Sequence, residues 1–286
     1  MGAHRYTLLD VFTATPLEGN ALAVVHDADA LEESTMLALA RETCLSETTF
    51  VQRAHVGGAD YRNRIWTVER ELPFAGHPSL GTAVAVARAE HAAPCEVRYV
   101  QQTGAGLQAI DVRLDDAQRA RASMLQEPAE HGAEVPRAQA TEAIRLTPEH
   151  ADRALPAQVV GSGLAHLLLP LRDLDALARA RPDWPAVETL LAAHGATALY
   201  AVVCDPGGAR ARARSFVSAA VGEDPATGSA AGPLCAYLAA RAGCSEVTIE
   251  QGVELGRPSR LEAAMEGDRP RVSGDVVVVG DGTLHL

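Results

Sequence analysis

A histidine between a glycine and a proline, in the run Gly76-His77-Pro78-Ser79, stands at the head of an alanine- and valine-rich stretch, AVAVARAE. A second such place occurs nearly half the chain later, where Pro225-Ala226-Thr227-Gly228-Ser229-Ala230 leads into AGPLCAYLAARA. Both share a pattern: proline, two residues, glycine, a hydroxyl residue and alanine, with Pro78 aligned on Pro225. Proline suits the first turn of a helix, where its missing N–H would have no partner anyway. The other N–H groups of that turn point outward, and the helix dipole adds about half a positive charge there. Two such ends facing each other across a domain cleft would receive a carboxylate or an enolate-like anion. The titratable groups near these turns are His77, Glu223 and Asp224, residue types able to pass protons. Ser79 and Ser229 can bond to backbone or ligand, and hydroxyls at helix starts also serve as ordinary caps. Glu47, in LSETTFV, stands where a helix gives way to a strand; by its sequence alone it is as readily a solvated carboxylate.

These residues need a scaffold that brings two helix starts together, and the chain repeats itself accordingly. A weaker echo of the repeat relates Gly19-Asn20-Ala21-Leu22-Ala23 to Gly163-Leu164-Ala165-His166-Leu167. The periodicity predicts strands over 5–12, 21–25, 49–52, 61–68, 97–102 and 107–114 in the first half. It predicts further strands over 164–171, 198–204, 210–217, 247–251, 260–266 and 276–279 in the second. Amphipathic helices fit 33–42 and 186–194. Strands that follow one another without an intervening helix argue for α+β domains, each a sheet wrapped around a helix, and against a parallel doubly wound sheet. The polar, proline-bearing segment over about 117–145 is the expected linker. The expected domains are 1–117 and 118–274, with a C-terminal strand over 275–286 returning to the first.

Composition removes several classes of function. With 286 residues and 47% hydrophobic residues the chain can build a packed core, and two domains fit its length. The formal net charge is −12 with the two signs interspersed, so neither a nucleic acid nor an anionic membrane is an expected partner. All 25 basic residues are arginine. Without lysine there is neither a Schiff base for pyridoxal phosphate nor a P-loop lysine for nucleotide phosphates. Five scattered cysteines, none in a C-x-x-C, read as small buried residues, and the ten histidines lack metal-ligand spacing. No metal and no cofactor are expected. Gly104-Ala105-Gly106-Leu107-Gln108-Ala109 fits a dinucleotide fingerprint, but an alternating strand follows it where a helix is required, so it reads as a hairpin turn. The serine of Gly228-Ser229-Ala230-Ala231-Gly232 stands one position too early for a nucleophile elbow. Neither a signal peptide nor a membrane span is read, and Tyr6 stands where N-myristoylation wants Ser or Thr; a cytoplasmic location is expected.

Taken in order, LDVFTATPLEGNALAVV, LSETTFV, ELPFAGHPSLGTA, GEDPATGSAAGPL and QGVELGRPS resemble the successive motifs of the PhzF-like isomerases of phenazine biosynthesis, within the diaminopimelate-epimerase-like fold. The resemblance runs over most of the chain. It implies two similar domains, each a curved, mostly antiparallel sheet around a central helix, with the active site in the cleft between them. The implied activity is cofactor-independent proton transfer on a small carboxylic acid, as in isomerisation of trans-2,3-dihydro-3-hydroxyanthranilate. The family's glutamate base matches Glu47, its histidine His77, its aspartate Asp224 and its serine Ser229. Ser79 stands where some members have threonine, and Val68-Glu69 departs from the family at a strand. Epimerases and proline racemases of the superfamily use two cysteines, one at each helix start; neither turn here carries one, which argues against two-thiol racemisation.

The expected mechanism has Glu47 take a proton from carbon beside a carboxylate or conjugated alkene and return it elsewhere on the same ligand. Glutamate, ordinarily near about 4.3, is a weak base, so burial is expected to raise it. His77 and Asp224 would orient the substrate or share protons. Gly76, Ser79, Thr227, Gly228 and Ser229 would bind it, their backbone N–H groups holding the charge that grows in the transition state. Two alternatives stand beside this reading: epimerisation or racemisation of an amino or hydroxy acid, and non-catalytic binding of a small carboxylate. The resemblance also implies a homodimer.

Overall fold

The computed structural model describes residues 2–205 and 207–286; Met1 and Pro206 lie outside the described residues. The chain divides into two compact units, Met1–Met124 with Ser273–Leu286, and Leu125–Val272. The division falls after Met124 where the sequence reading put it after residue 117, and the returning segment starts at Ser273 where it put 275.

The first unit runs β1 (Ala3–Val11), β2 (Asn20–Val25), α1 (Glu33–Thr43), β3 (Glu47–Gln52), β4 (Tyr61–Trp66), β5 (Glu71–Leu72), α2 (Gly76–Glu90), β6 (Cys95–Thr103), β7 (Gly106–Leu114) and β8 (Arg119–Leu125). β1 pairs antiparallel with β2, β2 parallel with β3, β3 antiparallel with β4, and β4 both antiparallel with β5 and parallel with β6. A meander of β6, β7 and β8 follows. The sheet encloses α2, whose residues from Gly76 to Ala87 are all buried. A helix apolar on every side has no stable place at a surface. Gly81 lets it come close: a Cβ there would stand 2.5 Å from Leu22 Cδ2 and 2.9 Å from Val11 Cγ2. Outside the sheet, α1 lays Met36, Leu39 and Ala40 on Val25, Phe50 and Trp66, and ends at Cys44 in the left-handed region (φ 53°).

The second unit runs β9 (Glu130–Glu134), α3 (Arg137–Glu142), β10 (Gln158–Gly161), β11 (Ala165–Pro170), α4 (Leu174–Arg179), α5 (Trp184–His194), β12 (Leu199–Cys204), β13 (Arg210–Ser218), β14 (Gly222–Asp224), α6 (Gly228–Ala242), β15 (Glu246–Gln251) and β16 (Ser259–Glu266). β17 (Arg269–His285) closes the chain; its residues from Ser273 on belong to the first unit and pair with β1, from Val276 opposite Val11 to His285 opposite Ala3. The pairing scheme of the first unit recurs here. β10 and β11 are antiparallel, β11 and β12 parallel, β12 and β13 antiparallel. β13 is antiparallel to β14 and parallel to β15, and β15 is antiparallel to β16. α6 is enclosed as α2 is, with Gly228 to Leu238 buried, and α5 covers the outer face as α1 does.

Two expectations need correction. The segment over 117–145 is no linker: it holds β8, β9 and α3. Its prolines and charges mask an alternation in which Ala120, Ala122 and Met124 point inward, and Ala140, Ala143 and Ile144 join the core of the second unit. The strand read over 276–279 is the middle of the much longer β17, whose polar ends are held by pairing that a short apolar run does not reveal. The glycine-rich 104–106 turn joins β6 to β7 as a hairpin. Among the described residues no helix is long and apolar enough to cross a membrane.

Candidate active site

The two central helices begin alike, but in a register different from the one the sequence suggested. Each starts at a glycine, Gly76 or Gly228, and each is preceded by a two- or three-residue strand ending just before a proline. Strand pairing sets Trp66 against Glu71 and Phe216 against Glu223. The partner of Pro225 is therefore Pro73, and Glu71-Leu72-Pro73-Phe74-Ala75-Gly76 matches Glu223-Asp224-Pro225-Ala226-Thr227-Gly228. Pro78 is the third residue of α2, whereas Pro225 lies ahead of α6. The alignment of Pro78 on Pro225 rested on a short string of proline and small residues, which recurs readily in such a chain; the arginine–glutamate pair anchors the correct one. Arg64 bonds both oxygens of Glu71, at 2.7 and 2.5 Å, and Arg214 both oxygens of Glu223, at 2.8 and 2.7 Å. Each guanidinium also lies over the aromatic ring two residues on, Trp66 at 5.5 Å and Phe216 at 5.0 Å.

In the first unit the structure brings Glu47 and His77 together. Glu47 opens β3, beside Leu22 of β2, and its side chain is 16% exposed. His77 is the second residue of α2 and buried. Its Nε2 lies 3.4 Å from Glu47 Oε2, and its Nδ1 lies 3.2 Å from the Nδ2 of buried Asn20. Burial pushes the imidazole down to about 3, against a weaker opposing hydrogen bond with the backbone of Ala21. The ring is therefore neutral at ordinary pH, and its contact with Glu47 is not an ion pair. Asn20 is placed by Gly19, which has φ 65° and leaves no room for a Cβ beside the Val11 carbonyl.

Ser79 is buried one turn deeper; its hydroxyl donates to the Ala75 carbonyl at 2.7 Å and accepts from Gln101 Nε2 at 2.8 Å. Its side chain is thus engaged with the helix start itself. Hydrogen bonding to Ala75 begins with Ser79 N, so the N–H groups of Gly76 and His77 stand ahead of the helical ladder.

In the second unit the structure brings Asp224, Thr227 and Gln251 together. Thr227 caps α6, and its hydroxyl donates to Asp224 Oδ2 at 2.6 Å. Gln251 bonds both residues. Backbone bonding to Thr227 begins at Ala230, which leaves the N–H groups of Gly228 and Ser229 ahead of the ladder. His166 of β11 is buried, pushed down to about 4 chiefly by burial, and hydrogen-bonds the backbone of Ser229. The Gly228 carbonyl accepts from Gln126 Nε2 at 3.1 Å.

The chemistry is not duplicated with the scaffold. The second unit has the apolar pair Ala198-Leu199 at the place of Glu47, and the first has Leu72 at the place of Asp224. Asn20, Gln101, His166, Tyr200 and Gln251 escaped the sequence reading, because an amide or imidazole in a strand carries no signal of what it will touch. Glu71 and Glu223 did carry one, the shared glutamate–x–proline–x–x–glycine run.

The family model described as "Phenazine biosynthesis-like protein" matches residues 9–284. A relative from Pseudomonas fluorescens named trans-2,3-dihydro-3-hydroxyanthranilate isomerase is 40% identical over 99% of this chain and 100% of its own length. One of the same name from Pseudomonas aeruginosa is 38% identical over 98% of this chain and 96% of its own. Among solved structures, a predicted epimerase from Pseudomonas aeruginosa superposes with a TM-score of 0.86 at 34% identity, each chain covered to 99%. A hydroxyproline epimerase from Agrobacterium vitis shares the fold, with a TM-score of 0.68 at 13% identity over 99% of this chain and 92% of its own.

Proposed function

The chain belongs to the PhzC-PhzF family of phenazine biosynthesis-like isomerases, and we propose that it moves a proton on a small carboxylic acid with Glu47 as the base and no cofactor. The observation that carries this reading is the Glu47 carboxylate, 3.4 Å from the Nε2 of a buried, neutral His77. A carboxylate beside an uncharged imidazole, at a helix start with N–H groups ahead of the ladder, has what an allylic proton shift needs. Glu47 takes the proton from carbon, the charge that develops runs into the ligand's carboxyl or conjugated system, and the Gly76 and His77 N–H groups stabilise it. Glu47 then returns the proton at the other end of the conjugated system. His77, uncharged and held by Asn20, fixes the place of the glutamate carboxylate. Asp224 acts as a substrate-orienting carboxylate, and the Gly228 and Ser229 N–H groups as donors to a negatively charged group.

The unequal placement of Glu47 and Asp224 in two otherwise equivalent units favours transfer by one base over symmetrical epimerisation by a matched pair. Relatives named for trans-2,3-dihydro-3-hydroxyanthranilate make that acid the first substrate to test. Glu47→Gln is expected to lower turnover by about 10²–10⁴-fold while leaving affinity within a few-fold, and to abolish deuterium uptake by the product in D₂O. Near-normal turnover in that variant would remove Glu47 from the mechanism.

A further inference from the structure

We propose that Gln251 is a positioning residue that fixes the direction and the charge of the Asp224 carboxylate through Thr227. The proposal rests on the reading of Asp224 as a group that meets the substrate. Gln251 ends β15 and is fully buried, and all four bonding positions of its amide are used. Its Oε1 accepts from the Tyr200 hydroxyl at 2.9 Å and from the Thr227 N–H at 3.2 Å. Its Nε2 donates to the Asp224 carbonyl at 2.7 Å and to Thr227 Oγ1 at 3.0 Å.

Only one orientation of the amide satisfies this set, because the reversed one would oppose an NH₂ to the Thr227 N–H. Since Thr227 Oγ1 receives a proton from Gln251, its own proton is directed at Asp224 Oδ2, 2.6 Å away. The donors thus run in one direction, from amide to hydroxyl to carboxylate, and a bond donated to the ionised form favours that form. Gln251 holds the main chain of Asp224 as well, so carboxylate and backbone are fixed by one side chain. The next residue, Gly252 (φ 78°), lets the strand end pass the Pro225 backbone where a Cβ would collide.

Glu223 is paired with Arg214, and the Tyr200 phenol is kept protonated by burial and by the charge of Asp224. In the first unit the buried Gln101 likewise braces a hydroxyl of the helix start, Ser79, but the place of Asp224 is Leu72. A glutamine behind the helix start is therefore common to both units, and only in the second is it connected to a carboxylate at that place.

The test is a carboxyl ¹³C titration of Asp224 in the whole protein, the resonance assigned by its loss in Asp224→Asn. Thr227→Val keeps the shape and removes the hydroxyl; it should raise the titration midpoint of Asp224 by about one unit. Gln251→Glu puts a second carboxylate behind Thr227 and should raise it further, while Thr227→Ser should restore the original value. With trans-2,3-dihydro-3-hydroxyanthranilate as substrate, the acid limb of kcat/KM should move with the midpoint. A folded Thr227→Val protein with an unchanged Asp224 midpoint overturns the proposal, and that pair of variants decides it even where Gln251 variants fail to fold. An unmoved midpoint together with an inactive Glu47→Gln sinks the positioning role alone. A shifted midpoint together with an active Glu47→Gln sinks the base and leaves the positioning intact.

Discussion

At the scale of single residues, a histidine lies beside a carboxylate here without carrying a charge. A charged imidazole against Glu47 would neutralise the proposed base, whereas burial keeps His77 uncharged, with Asn20 bonded to its Nδ1. Asn20→Leu tests this placement: it keeps the bulk of the amide and removes the group that bonds His77 Nδ1. Turnover should fall by about 10–100-fold, the range of a misplaced proton-transfer partner. The ¹⁵N shifts of His77 should report a neutral ring at about pH 7 in the unaltered protein; an imidazolium there contradicts the reading.

At the scale of elements, both helix starts are set by the same device, a hairpin pinned by an arginine–glutamate pair, half-buried in the first unit and nearly buried in the second. Arg214 and Glu223 are both nearly buried, and Arg214 also bonds the Leu177 and Ala180 carbonyls at the end of α4. Removing one partner from such a pair leaves an uncompensated charge, whereas replacing both with apolar residues is far milder. Arg214→Met should cost about 3–5 kcal/mol in denaturant unfolding, and Arg214→Met with Glu223→Leu clearly less. A double variant as unstable as the single one would show that the carbonyl bonds, and not the ion pair, hold the hairpin. The clamp also explains how Asp224 is placed: it follows Glu223, so the residue that pins the hairpin delivers the next one to the start of α6.

At the scale of the molecule, one pairing scheme occurs twice with different side chains at corresponding places. Enclosing two helices also buries histidines, with a consequence for stability. Unfolded histidine titrates near about 6.5, while His77 is pushed to about 3 and His166 to about 4, and His26 is lowered as well. Below about pH 6.5 the unfolded chain binds protons that the native one refuses, so stability falls as pH falls. Each of these groups contributes up to about 1.4 kcal/mol per pH unit until its own native value is reached. Unfolding free energies at about pH 7, 6 and 5 should show this slope, and His166→Gln should flatten it. A slope unchanged by that variant would mean that His166 is protonated in the native state.

The amino-acid sequence by itself determined the order and type of most strands, the existence of a repeat, and a helix at each of the two P-x-x-G-[TS]-A runs. Alternation, turn residues and apolar runs are local, and local patterns survive without tertiary contacts. It also pointed to Glu47, His77 and Asp224, though only through the ordered motifs around them; as isolated residues they were unremarkable. Tertiary structure decided the rest. It moved the partner of Pro225 from Pro78 to Pro73, because register is fixed by which residues bond across strands and not by which strings look alike. It turned the polar segment over 117–145 into strands and a helix, because neighbouring strands supply the hydrogen bonds that its composition conceals. It brought Asn20 to His77 and Gln251 to Thr227, residues far apart in the chain. A polar side chain acquires its role from the donor or acceptor it meets after burial, and that meeting is a property of the fold.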